Sequence, residues 1–191
     1  MARHNVREQL LDAGLKTLLE QGFNGCGVQD ITEAAGVPKG SFYNHFESKE
    51  ALGAEIVERY GARSERRAEV RDLSMPGLER LKRHFRSLND SLVARNFSRG
   101  CLLGNFSAEM ADKSPMIREK LAVLFAEWTK DLEIAIRDAQ SDGSIKTTLD
   151  PAVLAGFLLD SFEGALLRAR VDRNSDALER FMTLAFTQIL I

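Results

Sequence analysis

Asp30-Ile31-Thr32-Glu33-Ala34-Ala35-Gly36-Val37-Pro38-Lys39-Gly40-Ser41-Phe42-Tyr43-Asn44-His45-Phe46 reads as two short helices around a tight turn. Ile31, Ala34 and Ala35 are small or apolar at helical spacing. Gly36 suits the left-handed conformation that ends a helix. Val37 fills the turn and Pro38 opens the next helix. That arrangement is a helix-turn-helix, whose second helix enters the major groove with its first residues at the base edges. Lys39, Gly40 and Ser41 occupy those first positions, and Tyr43, Asn44 and His45 lie on the polar side. Phe42 and Phe46, four apart, are expected to face the domain core. Ser48-Lys49-Glu50 then caps a further helix, placing Lys49 near a positive N-terminus suited to a phosphate.

The rest of the chain has the same helical period. Leucine and alanine together number 46 against 24 for valine, isoleucine and threonine, which favours helix over sheet. The four prolines, Pro38, Pro76, Pro115 and Pro151, each stand where a helix can begin. Ser114-Pro115 and Asp150-Pro151 read as an N-cap followed by the first helical residue. Apolar stripes recur at helical spacing, among them Leu78/Leu81/Phe85/Leu88/Leu92 and Ile117/Leu121/Leu124/Trp128/Leu132/Ile136. The expectation is an all-α protein of about nine helices, roughly at 3–21, 28–35, 39–45, 48–72, 76–95, 102–112, 115–141, 151–171 and 175–190. No period-2 segment, repeat or low-complexity tract interrupts it.

Composition narrows the function classes. The chain has 191 residues, 26 Lys+Arg against 28 Asp+Glu, and a formal net charge of −2. A histone-like polycation is excluded, so nucleic-acid contact requires a local patch. Residues 1–50 carry five basic and seven acidic side chains, which predicts weak non-specific DNA binding. Affinity would come from Arg3, His4, Arg7, Lys39 and Lys49, from helix N-termini and from pairing of two subunits. No apolar run reaches membrane-spanning length and Met1 to Leu10 lacks a signal core, so no membrane association is expected. Cys26 and Cys101 are too few for a disulfide framework, and a cytoplasmic location is expected. His4, His45 and His84 show no metal-ligand spacing, and neither a phosphate loop nor a nucleophile elbow occurs. The chain is expected to be neither an enzyme nor a carrier of a metal or cofactor.

Gly22-Phe23, Asp30-Ile31, Ala35-Gly36-Val37, Lys39-Gly40, Phe42-Tyr43, His45-Phe46 and Ser48-Lys49-Glu50-Ala51-Leu52 together resemble the TetR family of bacterial repressors. The resemblance covers the N-terminal third. It implies an all-α homodimer with a three-helix helix-turn-helix DNA-binding domain, placed at 1–47, and a helical effector and dimerisation domain, placed at 48–191. It implies that Lys39, Gly40, Ser41, Tyr43, Asn44, His45 and Lys49 face DNA. One departure stands out: the family has Ser or Thr capping the helix before Asp30, where this chain has Gly27. A side-chain cap is lost there, and Gln29 is expected to supply a contact instead.

Beyond residue 48, Cys101 draws attention. It follows Gly100, and apolar periodicity resumes at Leu102, so the thiol lies at or beside a helix N-terminus, where partial positive charge favours thiolate. Arg95 and Arg99 are close in sequence. A lone cysteine also has a plain reading as a small buried hydrophobe. Gly100-Cys101-Leu102-Leu103-Gly104-Asn105-Phe106-Ser107-Ala108-Glu109-Met110 and Phe162-Glu163-Gly164-Ala165-Leu166-Leu167-Arg168-Ala169 are similar to segments of the NemR-like branch of the family. That similarity implies a cysteine sensor, here Cys101, modified by a reactive electrophile or oxidant so that the operator is released. Phe106, Trp128 and Phe162 are the expected pocket aromatics, with Arg168 or Arg170 as a basic partner of the thiol. Cys26 reads as structural, and the charged stretch Glu55–Asp72 as the solvated face of a linking helix.

The last two helices carry small residues, Gly156, Gly164, Ala165 and Ala169, and end in Ile189-Leu190-Ile191. A four-helix contact with a second copy is expected there, setting two recognition helices on a palindromic operator. Two further readings stand beside the thiol-gated repressor. In one, a reversibly bound apolar small molecule is the inducer and Cys101 only lines its pocket. In the other, Cys101 serves a thiol enzyme such as a small peroxidase, which leaves the helix-turn-helix unexplained.

Overall fold

The computed structural model describes residues 5–62 and 65–191. Ten α-helices run through them: α1 (Val6–Gln21), α2 (Val28–Ala34), α3 (Gly40–Tyr43), α4 (Lys49–Ala62), α5 (Glu65–Arg71), α6 (Gly77–Ala94), α7 (Leu102–Met110), α8 (Pro115–Ser141), α9 (Pro151–Asp172) and α10 (Asp176–Leu184), which continues as a π-helical turn over Ala185–Ile189. The described residues contain no strand. Within the expected helix over 48–72 the described residues form α4 and α5 on either side of residues 63 and 64, which lie outside the described residues, as do Arg3 and His4.

Chain contacts divide the protein into two compact units. The first comprises residues 1–63 and 102–124, so α4, α7 and the beginning of α8 are grouped with the N-terminal helices. The second comprises 64–101 and 125–191.

In the first unit, α1 starts on Asn5, whose Oδ1 accepts from the Arg7 N–H at 3.1 Å. Its apolar stripe, Leu10, Leu11, Gly14 and Leu18, is buried. Gly14 has a packing reason, since a Cβ there would sit 2.8 Å from Ile56 Cδ1 and 3.0 Å from Leu52 Cδ2 on α4. Arg7 pairs with Glu55 and Arg59 with Glu8, tying the outer faces of α1 and α4. Phe106 of α7 is fully buried, edge-on to Phe23 with ring centroids 5.6 Å apart. Glu109 accepts from the Asn24 backbone N–H at 2.8 Å, and Ser114 Oγ donates to Glu50 Oε2 at 2.9 Å.

The second unit is built on an aromatic cluster. Phe85, Phe162 and Phe181 meet with centroids 4.9–5.2 Å apart, each buried. Such tilted and edge-on pairs add to the area they bury. Trp128 packs beside them, its Nε1–H donating to His84 Nε2 at 2.9 Å, and His84 is fully buried. Accepting at Nε2 requires that nitrogen to be unprotonated. The charged stretch Glu55–Asp72 departs from expectation: Arg67 is 8% exposed and pairs with Asp131, 10% exposed, at 2.9 Å. Arg71 holds the other oxygen of Asp131 at 2.8 Å. Arg80, also buried, pairs with Asp138 and donates to the Val70 carbonyl. Arg67 and Arg80 are thus buried cations of ion pairs, packed where α5 lies against α6, while Arg71 stays 55% exposed. Asp150 caps α9, accepting from Ala152 and Val153 N–H at 2.8 and 3.1 Å, with Pro151 at the first helical position.

Candidate nucleic-acid interface and thiol site

The turn between α2 and α3 closes as the residues dictate. The Val37 N–H donates to the Thr32 carbonyl and the Gly36 N–H to the Glu33 carbonyl, both at 3.0 Å, with Gly36 at φ +68°. This is a Schellman ending, satisfying two carbonyls that the helix leaves over. Gly27 has no side chain to cap α2, but its own N–H donates to Asp30 Oδ2 at 2.6 Å. Half of a capping box is thus kept without the Ser or Thr.

Phe42 and Phe46 are buried, as their spacing requires, with ring centroids 5.6 Å apart. That burial turns the rest of α3 outward. Lys39, Gly40, Asn44 and His45 are exposed, Ser41 is half-buried, and Tyr43 is 59% exposed with its ring edge-on to Phe42. Gln29 is exposed on α2 and donates to Glu33 Oε1 at 2.8 Å.

Lys49 is placed differently from its neighbours. Its Nζ donates to the carbonyls of Phe23 and Cys26 at 2.7 and 2.6 Å and lies 4.3 Å from the Phe23 ring centroid. The ammonium thus closes the α1–α2 loop from beneath. Cys26, in that loop, is buried, and burial pushes its thiol up, the nearby Lys49 only partly opposing this.

Cys101 directly precedes α7 and is half-buried. Its thiol hydrogen-bonds the Glu163 carboxyl. Burial raises Glu163 above the ordinary carboxylate range, and the Cys101 bond only partly offsets that. Glu163 Oε1 is sealed from solvent and has no hydrogen-bond partner. The loop before Cys101 runs through positive φ at Asn96, Phe97, Arg99 and Gly100. Three of these are not glycine, so the conformation is costly and must be held from outside. Arg173 Nη1 donates to the Asn96 and Phe97 carbonyls at 3.1 and 3.2 Å, and a Cβ added to Gly100 would lie 2.8 Å from Arg170 Cδ. Glu163 and Arg170, seven residues apart, share one face of α9, and Arg173 follows as its left-handed C-cap.

The expected sensor residues fall in both units. Phe106 lies in the first unit, packed on Phe23; Trp128 and Phe162 are in the second unit's core. Arg168 is about 140° around the helix from Glu163. It is exposed, with Nε donating to Asp172 Oδ2 at 2.6 Å. Of the two arginines expected beside the thiol, it is Arg170 that lies against the Cys101 loop. Glu163, given no role from the sequence beyond its place in the NemR-like segment, is one of only two acids in the apolar run 152–169, the signal that could have singled it out.

On the side of α9 away from the buried Leu158, Phe162 and Ala169, apolar residues are uncovered. Val153, Phe157, Leu167 and Val171 are 49–78% exposed, and a Cβ on Gly156 or Gly164 would meet nothing. A groove of about 270 Å³ lies there between α9 and α10, lined by Phe157, Ala165, Arg168, Arg180, Leu184 and Ile189. Ile191 is 54% exposed, while Leu190 is buried. Among the described residues no group of three or more His, Cys, Asp or Glu could hold a metal ion, and no helix is long and apolar enough to cross a membrane.

A helix-turn-helix with an outward recognition face, joined to a larger helical unit, defines a DNA-binding transcriptional regulator. Residues 10–56 match the model of the bacterial regulatory proteins of the tetR family, and residues 77–185 match the tetracyclin repressor-like C-terminal domain. The chain is 41% identical to the transcriptional repressor DhaR of Mycobacterium sp. strain GP1, over 100% of this chain and 95% of that one. It is 30% identical to the repressor NemR of Escherichia coli K12, over 92% and 89%. The crystal structure of reduced E. coli NemR superimposes with a TM-score of 0.84 at 28% identity, covering 95% of each chain. The crystal structure of a TetR regulatory protein from Rhodobacter sphaeroides does so with 0.87 at 33% identity, covering 96% and 98%. The chain belongs to the TetR family of transcriptional regulators, and its matched relatives are regulators, not enzymes. The similarity to NemR noted from the sequence is present along the chain, with DhaR matching at higher identity.

Proposed function

We propose that this TetR-family repressor binds a palindromic operator as a homodimer and releases it when an electrophile or oxidant modifies Cys101. The observation that carries the reading is the placement of Cys101: a half-buried thiol directly before α7, beside the half-buried Glu163 carboxyl and preceded by a strained loop. The relative NemR, whose crystal structure is described as a reduced form, supports thiol chemistry in this branch.

Residues 1–47 form the DNA-reading division and 48–191 the effector and dimerisation division. Lys39, Gly40, Ser41, Tyr43, Asn44 and His45 face the groove, with Gln29 flanking them. Lys49 contributes by fixing the loop that supports this face, because its ammonium already holds two carbonyls. The uncovered face of α9 and α10 is the dimer contact, and the site of action is the cytoplasm. A group attached to Cys101 adds volume beside Glu163 and Arg170, so the modified chain favours a different packing of the loop and α9. The two recognition helices then no longer match the half-sites, and the coupling energy is the difference in stability between the two packings.

The test is a reporter gene behind this protein's operator, in cells carrying wild-type protein or Cys101→Ser. An electrophile should raise expression with wild type and leave it repressed with the variant. A Cys101→Ser protein that is still fully induced assigns induction to a reversibly bound apolar ligand, with Cys101 only lining its pocket.

A further inference from the structure

We propose that Glu109 is a positioning residue for operator binding: from α7 it fixes the loop between α1 and α2, and so the direction in which α2 and α3 are presented to DNA. The inference rests on the reading of α3 as the DNA-facing helix and is independent of what the inducer is.

The loop over residues 22–27 is gripped from two sides, all within the first unit. On one side Glu109 Oε2 accepts from the Asn24 backbone N–H at 2.8 Å and from Asn24 Nδ2 at 3.1 Å. On the other the Lys49 ammonium holds the Phe23 and Cys26 carbonyls. Both grips are charge-assisted, which makes them the stronger kind of hydrogen bond. Between them Phe23 is inserted as a plug, 5% exposed and edge-on to Phe106 of α7. A Cβ on Gly53 of α4 would come within 2.9 Å of the Phe23 ring, so the slot is closely fitted.

Gly22 gives a second, independent indication. It ends α1 at φ +78°, and a Cβ there would stand 2.6 Å from Glu109 Oε1. The space left by the missing side chain is the space the carboxylate fills. The loop leads directly into α2 at Val28, and the tight turn at Gly36 joins α2 to α3. Fixing the loop at Asn24 therefore fixes the entry of α2 and, through it, the recognition face. Helix α7 begins at Leu102, in the division proposed for the effector, yet belongs to the first unit. Glu109 is thus a side chain by which that division reaches the DNA-reading head, and a shift of α7 along its axis would open the grip.

The experiment uses the full-length protein, with a duplex that the wild type selects from a random pool and a scrambled duplex of the same length. Asn24→Asp sets one carboxylate against another where Nδ2 now donates. The ratio of selected to scrambled affinity should fall about tenfold or more. Glu109→Gln, which still accepts, should stay within about threefold of wild type. Asn24→Asp combined with Glu109→Gln leaves the net charge unchanged and restores a donor opposite an acceptor, so the ratio should return to within about threefold of wild type. A loss of general stability would not be reversed by that exchange. Amide hydrogen exchange over residues 22–46 should rise in Asn24→Asp and fall back in the combined variant. Where Asn24→Asp fails to fold, Glu109→Ala replaces it, with the same loss expected. A ratio that is unchanged in the single variant, or that stays low in the combined one, overturns the proposal and leaves the DNA-facing reading standing. A wild type that selects no duplex refutes that reading, and the proposal falls with it.

Discussion

Gly36 shows how a single residue sets the geometry of the DNA-reading head. Its φ of +68° lies where a Cβ is disfavoured, and a Cβ there would touch nothing, so the cost of Gly36→Ala is conformational alone. Denaturant unfolding should show a loss of about 1–2 kcal/mol for Ala and less for Asn, which tolerates this region. Glu163 makes a second prediction at this scale. Its folded-state pKa is raised above the ordinary value of 4.5, so folding favours the protonated form. The stabilisation is present in full below 4.5 and is lost as pH rises through the raised folded value. Glu163→Gln, which cannot ionise, should remove that decline, and thermal melting of both proteins between pH 4 and 8 measures it. Gly36 was legible in the sequence because its role is local. Glu163 and Lys49 were not, because each owes its role to a partner distant in sequence: the Cys101 thiol for one and the Phe23 and Cys26 carbonyls for the other.

At the scale of elements, stripes of leucine and phenylalanine at helical spacing placed most helices within a few residues, since burial of an amphipathic face is a property of the segment itself. The charged stretch within 48–72 reads as a solvated face, and the structure instead buries Arg67 of α5 against Asp131. Charge in a sequence implies solvent only until a partner of opposite sign is folded onto it. Asp131→Ala should strand Arg67 and destabilise the second unit by about 3–5 kcal/mol, read by chemical denaturation. The loop before Cys101 depends on α9 in the same way. Removing the guanidinium in Arg173→Ala frees the Asn96 and Phe97 carbonyls, and amide hydrogen exchange over 96–101 should rise while exchange in α1–α4 stays unchanged.

For the whole molecule, the uncovered stripe of Val153, Phe157, Leu167 and Val171 is the feature a single chain leaves unexplained. Burying it against a second copy gives a symmetric four-helix contact of the kind anticipated from Gly156 and Gly164. Leu167→Glu with Val171→Glu should shift sedimentation at micromolar concentration from dimer to monomer. Operator affinity should then drop by at least about a hundredfold, because one recognition helix alone reads one half-site. The sequence disclosed this face through its small residues. It did not disclose that Phe106 packs on Phe23 or that Phe162 joins Phe85 and Phe181, since residues from distant segments are sorted only by the completed packing.

In the proposed function, chemistry at Cys101 controls the grip on DNA. Its most direct test is fluorescence anisotropy on the DNA upstream of this protein's own gene, with protein before and after one equivalent of a maleimide and Cys101→Ser treated alongside. Alkylation should abolish binding by wild type and leave Cys101→Ser bound. Wild-type protein that is alkylated at Cys101 and still binds with unchanged affinity would contradict the account.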